Sequence, residues 1–256
     1  MAGRIGRGAG GAPALLLLLL LCAAPAPAQS PETVEGLGPA NGDWELEYVG
    51  QYGDADGSDA PRQHSGQSFY GVTDRFAIGG ETLLSYRSGP LVEEDRIYFD
   101  YDSVVGIFRF SDAERDPVGA GLWLQAGLDA DGELARLEAR LIVEKKTPSW
   151  WLQANAMLRR VNEEAEEGTH LAYAGRARFA ASPKLWLGLE ASGQAVRISG
   201  FEREPFRESH YAGPTAAYEL ALSRKVEATL GLAYLRRIDS DRGLSDVVQL
   251  SGSIRF

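Results

Sequence analysis

The chain has 256 residues, with 26 Lys and Arg against 36 Asp and Glu and a formal net charge of −10. That balance disfavours nucleic-acid binding, which depends on Lys and Arg neutralising phosphates. A single cysteine excludes an internal disulfide, and the length fits one domain.

The N-terminus reads as a removed signal peptide over residues 1–28. Arg4 and Arg7 form a positive start, Leu15 to Leu21 is an unbroken apolar run, and Ala26-Pro27-Ala28 is a small-residue cleavage site before Gln29. The run is shorter than the roughly 20 apolar residues that a spanning helix needs. Cys22 lies inside this segment, so the mature chain is expected to carry no thiol; losing its two arginines moves the charge to −12. Residues 29–42, rich in Pro, Gly and Glu, read as a short flexible periplasmic leader.

From Asp43 the pattern is period-two alternation broken by turn residues, the mark of β-strands. Twelve strands are predicted, at about 43–53, 64–72, 75–87, 95–110, 118–128, 133–145, 149–160, 169–180, 184–198, 209–222, 225–237 and 246–256. In the first, Trp44, Leu46, Tyr48 and Tyr52 share a face. The fourth changes face part-way, which predicts a bulge. Asp129-Ala-Asp-Gly132 is a hairpin turn. Pro214 falls inside the tenth strand, where its missing N–H predicts a bulge or a strand end. The connections after even-numbered strands are mostly short. Those after odd-numbered strands carry acid: Asp54, Asp56 and Asp59; Glu93 and Glu94; Asp129 and Asp131; Glu163, Glu164, Glu166 and Glu167; Glu202, Glu204 and Glu208; Asp239 and Asp241.

The last strand is the most informative. Val248, Leu250, Gly252, Ile254 and Phe256 fall on one side, and Val247, Gln249, Ser251, Ser253 and Arg255 on the other. With Tyr70-Gly-Val-Thr-Asp-Arg-Phe-Ala-Ile-Gly79, it resembles the small proteobacterial outer-membrane β-barrels, whose chains end in an amphipathic strand closed by Phe. The resemblance covers the whole mature chain. It implies an all-β, antiparallel, up-and-down transmembrane barrel at residues 43–256, located in the cell outer membrane. It also implies lipid and lipopolysaccharide around the wall, and barrel assembly machinery as the reader of Val248, Leu250, Gly252, Ile254 and Phe256. It carries no catalytic or ligand residue. Mildly negative mean hydropathy fits, because half of each strand would face the lumen. A soluble sandwich or lipocalin-like barrel is the competing reading.

In a membrane barrel the oily faces turn to lipid. The opposite faces put Glu45, Glu47 and Glu81 inside, with Asp100 and Asp102 from the fourth strand. Strands six to eight contribute Arg136, Arg140, Arg159, Arg176 and Arg178; Glu138, Glu144, Glu190, Glu219, Glu227 and Arg255 complete the lumen set. Acids then face bases across the bore. Such charges either fill and close a small lumen or set a transverse field at a constriction. Trp44, Tyr86, Tyr98, Trp150, Tyr211, Tyr234 and Phe256 recur near strand ends, as an interfacial girdle would.

Catalysis has a thinner basis. His64 precedes Ser65, His170 follows Thr169, and Ser209 precedes His210, but no third group that would orient a base is identifiable. No metal cluster is legible and no cofactor is implied; Asp129 and Asp131 read as a solvated fringe. The expected function is a narrow channel or transport-associated barrel for small solutes. The alternatives are a structural or interaction barrel with a salt-bridged, plugged lumen, and a lipid-modifying enzyme.

Overall fold

The computed structural model describes residues 31–54, 62–87, 96–113, 115–162, 168–199, 209–238 and 246–256. The signal segment and, apart from Asp54, Asp129 and Asp131, the acidic loop residues lie outside them. Among the described residues no helix is long and apolar enough to cross a membrane, which says nothing of a barrel.

Strands form where the alternation places them: β1 Trp44–Asp54, β2 Arg62–Thr73, β3 Phe76–Arg87, β4 Arg96–Ser111, β5 Gly119–Leu128, β6 Leu134–Lys146, β7 Trp150–Val161, β8 Gly168–Ala180, β9 Leu185–Ser199, β10 Ser209–Ala221, β11 Glu227–Arg237 and β12 Asp246–Arg255. Each pairs antiparallel with its sequence neighbours, and β12 returns to β1, closing the ring. Closure satisfies every strand's edge, which is what allows an all-β wall to stand in lipid. The fold is that of an outer-membrane β-barrel.

An even strand number brings Trp44 and Phe256 to one rim, where each donates a backbone N–H to the other's carbonyl, at 2.8 and 3.0 Å. In single-chain bacterial barrels this rim is periplasmic. Its turns are short: Asp74 and Arg75 alone separate β2 from β3. At the opposite rim the Asp129 carboxylate caps the β5–β6 turn, accepting the N–H groups of Asp131 and Glu133 at 3.0 and 2.9 Å.

Directly opposed residues share a face, so the register fixes inside and outside. Leu124, Leu137, Leu141, Leu158, Leu189, Leu230, Leu232, Val248 and Leu250 are exposed on the outer wall, although they are large and apolar. In water such a surface would be a liability; in lipid it is the expected finish. Near the periplasmic rim the aromatics meet in cross-strand pairs, Trp44 with Tyr70, Phe76 with Phe108 and Trp150 edge-on to Phe179. Tyr234 and Phe256 also face out. Tyr211 does not join this girdle: it is buried with Ala233, Leu235 and Val247. Tyr98 opposes the buried Ser85 and shares its inward face. The Tyr86 side chain lies outside the described residues.

The bulge in β4 falls opposite Leu83 and Leu84, which pair with Tyr101 and Phe99 and leave Asp100 over. Asp100 and Tyr101 both serve the interior, Asp100 accepting a hydrogen bond from Ser85 Oγ at 2.8 Å and Tyr101 being buried. The extra residue flips everything after it. Asp102, expected in the lumen, therefore points outward beside Thr82. Pro214 produces neither a bulge nor a strand end. Pairing with β9 continues through it, while the ladder to β11 lapses at Gly213 and Pro214 and resumes in the same register at Thr215.

Candidate functional site

Composition alone makes residues 29–42 a flexible periplasmic leader; in the structure residues 31–39 fold into the bore. Asp43 sits at the periplasmic rim, where Gly42 donates to the Gly71 carbonyl at 2.8 Å and Gly71 donates back to that of Asp43 at 3.0 Å. From there the leader climbs the lumen backwards along the chain. Ten extended residues reach roughly 33–36 Å, enough to traverse a membrane barrel.

Low in the bore the Leu37 side chain is buried among Phe69, Ala77, Val105, Ile107, Trp123 and Ile142. This is an apolar collar on the inner face of β2 to β6. The Leu37 backbone is held on both sides, its N–H donating to Glu144 Oε2 at 3.3 Å and its carbonyl accepting Arg109 Nε at 2.8 Å. Burying one such leucine contributes about 1.5–3 kcal/mol relative to water. Higher up, the Val34 carbonyl accepts from Arg176 at 3.0 Å and its side chain packs on Met157, Ala172 and Ala174.

Glu35 lies at mid-height. Its backbone N–H donates to Asn155 Oδ1 at 2.7 Å and its carbonyl accepts from Asn155 Nδ2 at 3.1 Å. Its carboxylate lies 3.7 Å from the Arg140 guanidinium, and Arg140 also donates to the Thr33 carbonyl at 3.1 Å. Towards the outer end Glu32 meets Arg159 through two parallel bonds, one to Nη1 at 2.8 Å and one to Nη2. Such fork-on-fork pairing is the strong form of the Arg–carboxylate contact. Gln51, itself bonded to Gln249, donates to the Pro31 carbonyl at 2.7 Å.

The wall behind the leader is a linked charge network. Glu138 has no exposed side-chain surface and receives Arg136 at 2.6 Å, Arg140 at 2.7 Å and Arg159 at 2.7 Å. Arg176 pairs with Glu190 at 3.0 Å. Arg178 donates to Thr215 Oγ1 at 2.6 Å, and Lys146 pairs with Glu219 beside the Trp151 and Trp186 rings. Across the bore Glu81 accepts from Ser65, Gln67 and Gln125, the last at 2.6 Å. Glu47 is on the same inward face, opposite Gln67. At the periplasmic rim Arg255 pairs with Glu45 at 2.9 Å, and Glu227 opposes Arg255 on β11.

Every charge assigned to the lumen from sequence thus lies on the inner face except Asp102. What the sequence reading missed is the leader as an inner layer and the collar that holds it. A signal for both exists in Val104-Val-Gly-Ile-Phe108, which is apolar on both faces. A wall against lipid on one side and water on the other has no reason to be, so something covers its inner side.

The neighbouring Ser/Thr–His pairs do not assemble. Consecutive strand residues point to opposite faces. Ser65 bonds inward to Glu81, whereas His64 accepts from or donates to Tyr48 on the outer wall at 2.7 Å. His210 likewise meets Tyr173 outside at 3.0 Å, while Ser209 shares the buried side of Gln194. Thr169 opposes Arg160, and His170 opposes the inward Arg159. Among the described residues no group of His, Cys, Asp and Glu has the make-up of a metal site.

No protein-family model and no curated protein matches the sequence. Solved structures do match in fold. An outer membrane channel from Pseudomonas putida F1 superimposes with a TM-score of 0.57 at 16% identity, covering 90% of this chain and 100% of that one. The NanC porin gives 0.54 at 8% identity, over 81% and 98%. The KdgM porin in complex with a disordered oligogalacturonate gives 0.50 at 8% identity, over 81% and 97%.

Proposed function

We propose that this protein is a narrow outer-membrane channel for small solutes, closed in the described conformation by its own leader. The observation that carries the reading is the nature of the obstruction. The bore is stopped by residues 31–39, which lie outside the strand ladder, not by a wall that packs shut on itself. Such a segment can leave; wall side chains cannot leave without unfolding the ring. The channel and porins that share the fold support the same reading, the fold alone being common ground.

A structural or interaction barrel with a permanently plugged lumen is the second reading. It is favoured by the doubled Glu32–Arg159 contact and the burial of Leu37. Lipid modification has less support, because each Ser/Thr–His neighbour pair straddles the wall. We further infer that Val248, Leu250, Gly252, Ile254 and Phe256 are the segment that proteobacterial assembly machinery reads, and that the outer acidic fringe faces lipopolysaccharide.

The test is planar-bilayer recording on the full mature chain, refolded in detergent and confirmed folded by heat-modifiable gel migration. Discrete, short-lived openings are expected. A folded sample that never conducts sinks the channel reading and leaves the plugged barrel standing. A monomer that is soluble without detergent overturns the class itself.

A further inference from the structure

The leader does more than fill space: its two carboxylates sit on two guanidiniums of the wall. Beside it Arg136, Arg140 and Arg159 form one salt-bridged cluster, three positive charges around Glu138 alone. Glu32 and Glu35 bring that group to neutrality, one on Arg159 and one on Arg140. With the leader in place Arg159 and Arg140 are almost wholly buried. When the leader withdraws, each guanidinium keeps Glu138, which it shares with Arg136, and loses the second carboxylate that offsets its charge. On the opposite wall Glu81 is held by Ser65, Gln67 and Gln125.

The withdrawn state therefore leaves this cluster two negative charges short. We propose that Arg159 and Arg140, with Asn155 and Gln194 beside them, form a binding site for a small soluble dicarboxylate, which Glu32 and Glu35 of the leader occupy in its absence. Asn155 already bonds the Glu35 backbone, and Gln194 Nε2 donates to Glu32 at 3.3 Å. The site takes an acid because its donors outnumber its own acceptors. It takes two carboxylates because the guanidiniums are filled by two separate side chains, three residues apart on the leader. Solute and leader then compete, and the solute opens the bore that it uses. This rests on the channel reading, giving that channel its solute class and its gate.

A tethered group competes at an effective concentration of about millimolar, so in the wild-type chain the leader masks the site. The full mature chain and its Glu32→Gln/Glu35→Gln double variant, both folded in detergent by heat-modifiable migration, are titrated calorimetrically with glutarate, with succinamide as the neutral control. The double variant should bind glutarate at least about ten-fold tighter than wild type, succinamide should not bind, and adding Arg159→Gln should abolish the gain. If the double variant folds poorly, Glu32→Gln alone should give a smaller gain in the same direction. Equal affinity in variant and wild type, or equal binding of succinamide, overturns the site. In bilayers the double variant should open more often than wild type and prefer anions. A variant that conducts yet ignores glutarate removes the site and keeps the channel. One that binds glutarate yet never conducts keeps the site and removes the channel.

Discussion

Glu138 meets three guanidiniums with no side-chain surface exposed, and that sets it apart from the charges at the rims. Removing one member of a buried network strands the others, at a cost of roughly 3–5 kcal/mol. Removing one member of an exposed pair costs about 0–1 kcal/mol, because water replaces it. Glu138→Ala should therefore lower the temperature at which the detergent-folded barrel loses its compact gel migration. Glu219→Gln, at the half-exposed Lys146 pair, should leave it nearly unchanged. Equal shifts would mean that the lumen is wet enough to screen the network. Asp102 shows how sharply a single residue's environment turns on register. Asp100 and Asp102 alternate correctly for one face, and only the extra residue in β4 separates them. Sequence announces a bulge through a change of face but does not say which residue carries it. That depends on which pairing of Leu83 and Leu84 best fits the neighbouring strand.

At the scale of elements, the strands were readable because each obeys a local rule. Alternation sets the faces, and Gly, Pro, Asn and Asp mark the ends. The leader obeys none. Pro31 to Gly42 has no period, and its contacts reach Arg140 and Arg159, more than a hundred residues away. Only the three-dimensional bore gives it a conformation. Leu37 is its apolar anchor. When the leader leaves the lumen this side chain moves into water, so Leu37→Ala should weaken docking by about 2 kcal/mol. At 1.4 kcal/mol per ten-fold, the open fraction in bilayer recordings should rise by about thirty-fold. No change would mean that the leader's charges alone hold it. The docked position can be tested separately. A Cβ at Gly38 would stand 3.8 Å from that of Ala77, the usual spacing across a disulfide. Gly38 has a positive φ of 74°, and the Ile107 methyl would have to give way, so the bridge would be strained. The mature Gly38→Cys/Ala77→Cys chain is expected to have no other thiol. On mild oxidation it should lose reactivity to maleimide in the folded state and recover it after reduction. Persistent reactivity would place the leader elsewhere.

For the whole molecule the decisive event is closure of the ring, and Phe256 takes part in it twice. Its backbone exchanges both hydrogen bonds with Trp44, the last rung between the two ends of the barrel. Its ring is exposed on the outer wall, at the level of the aromatic pairs on neighbouring strands. On the proposed reading that ring would be an address for the assembly machinery; the geometry makes the residue a clasp. Two variants separate these roles. Phe256→Ala keeps both backbone bonds and loses only the ring. Deletion of Phe256 loses the ring and the rung, worth about 1 kcal/mol per hydrogen bond. If the ring is the address, both variants should reduce the heat-modifiable species in the outer-membrane fraction to the same degree. Both should still refold in detergent, where nothing reads the address. If closure dominates, the deletion alone should fail, in cells and in detergent alike. We expect the first pattern. The β1–β12 ladder runs through ten further residue pairs from Glu45–Arg255 to Asp54–Asp246, and one rung at its end is a small part of it.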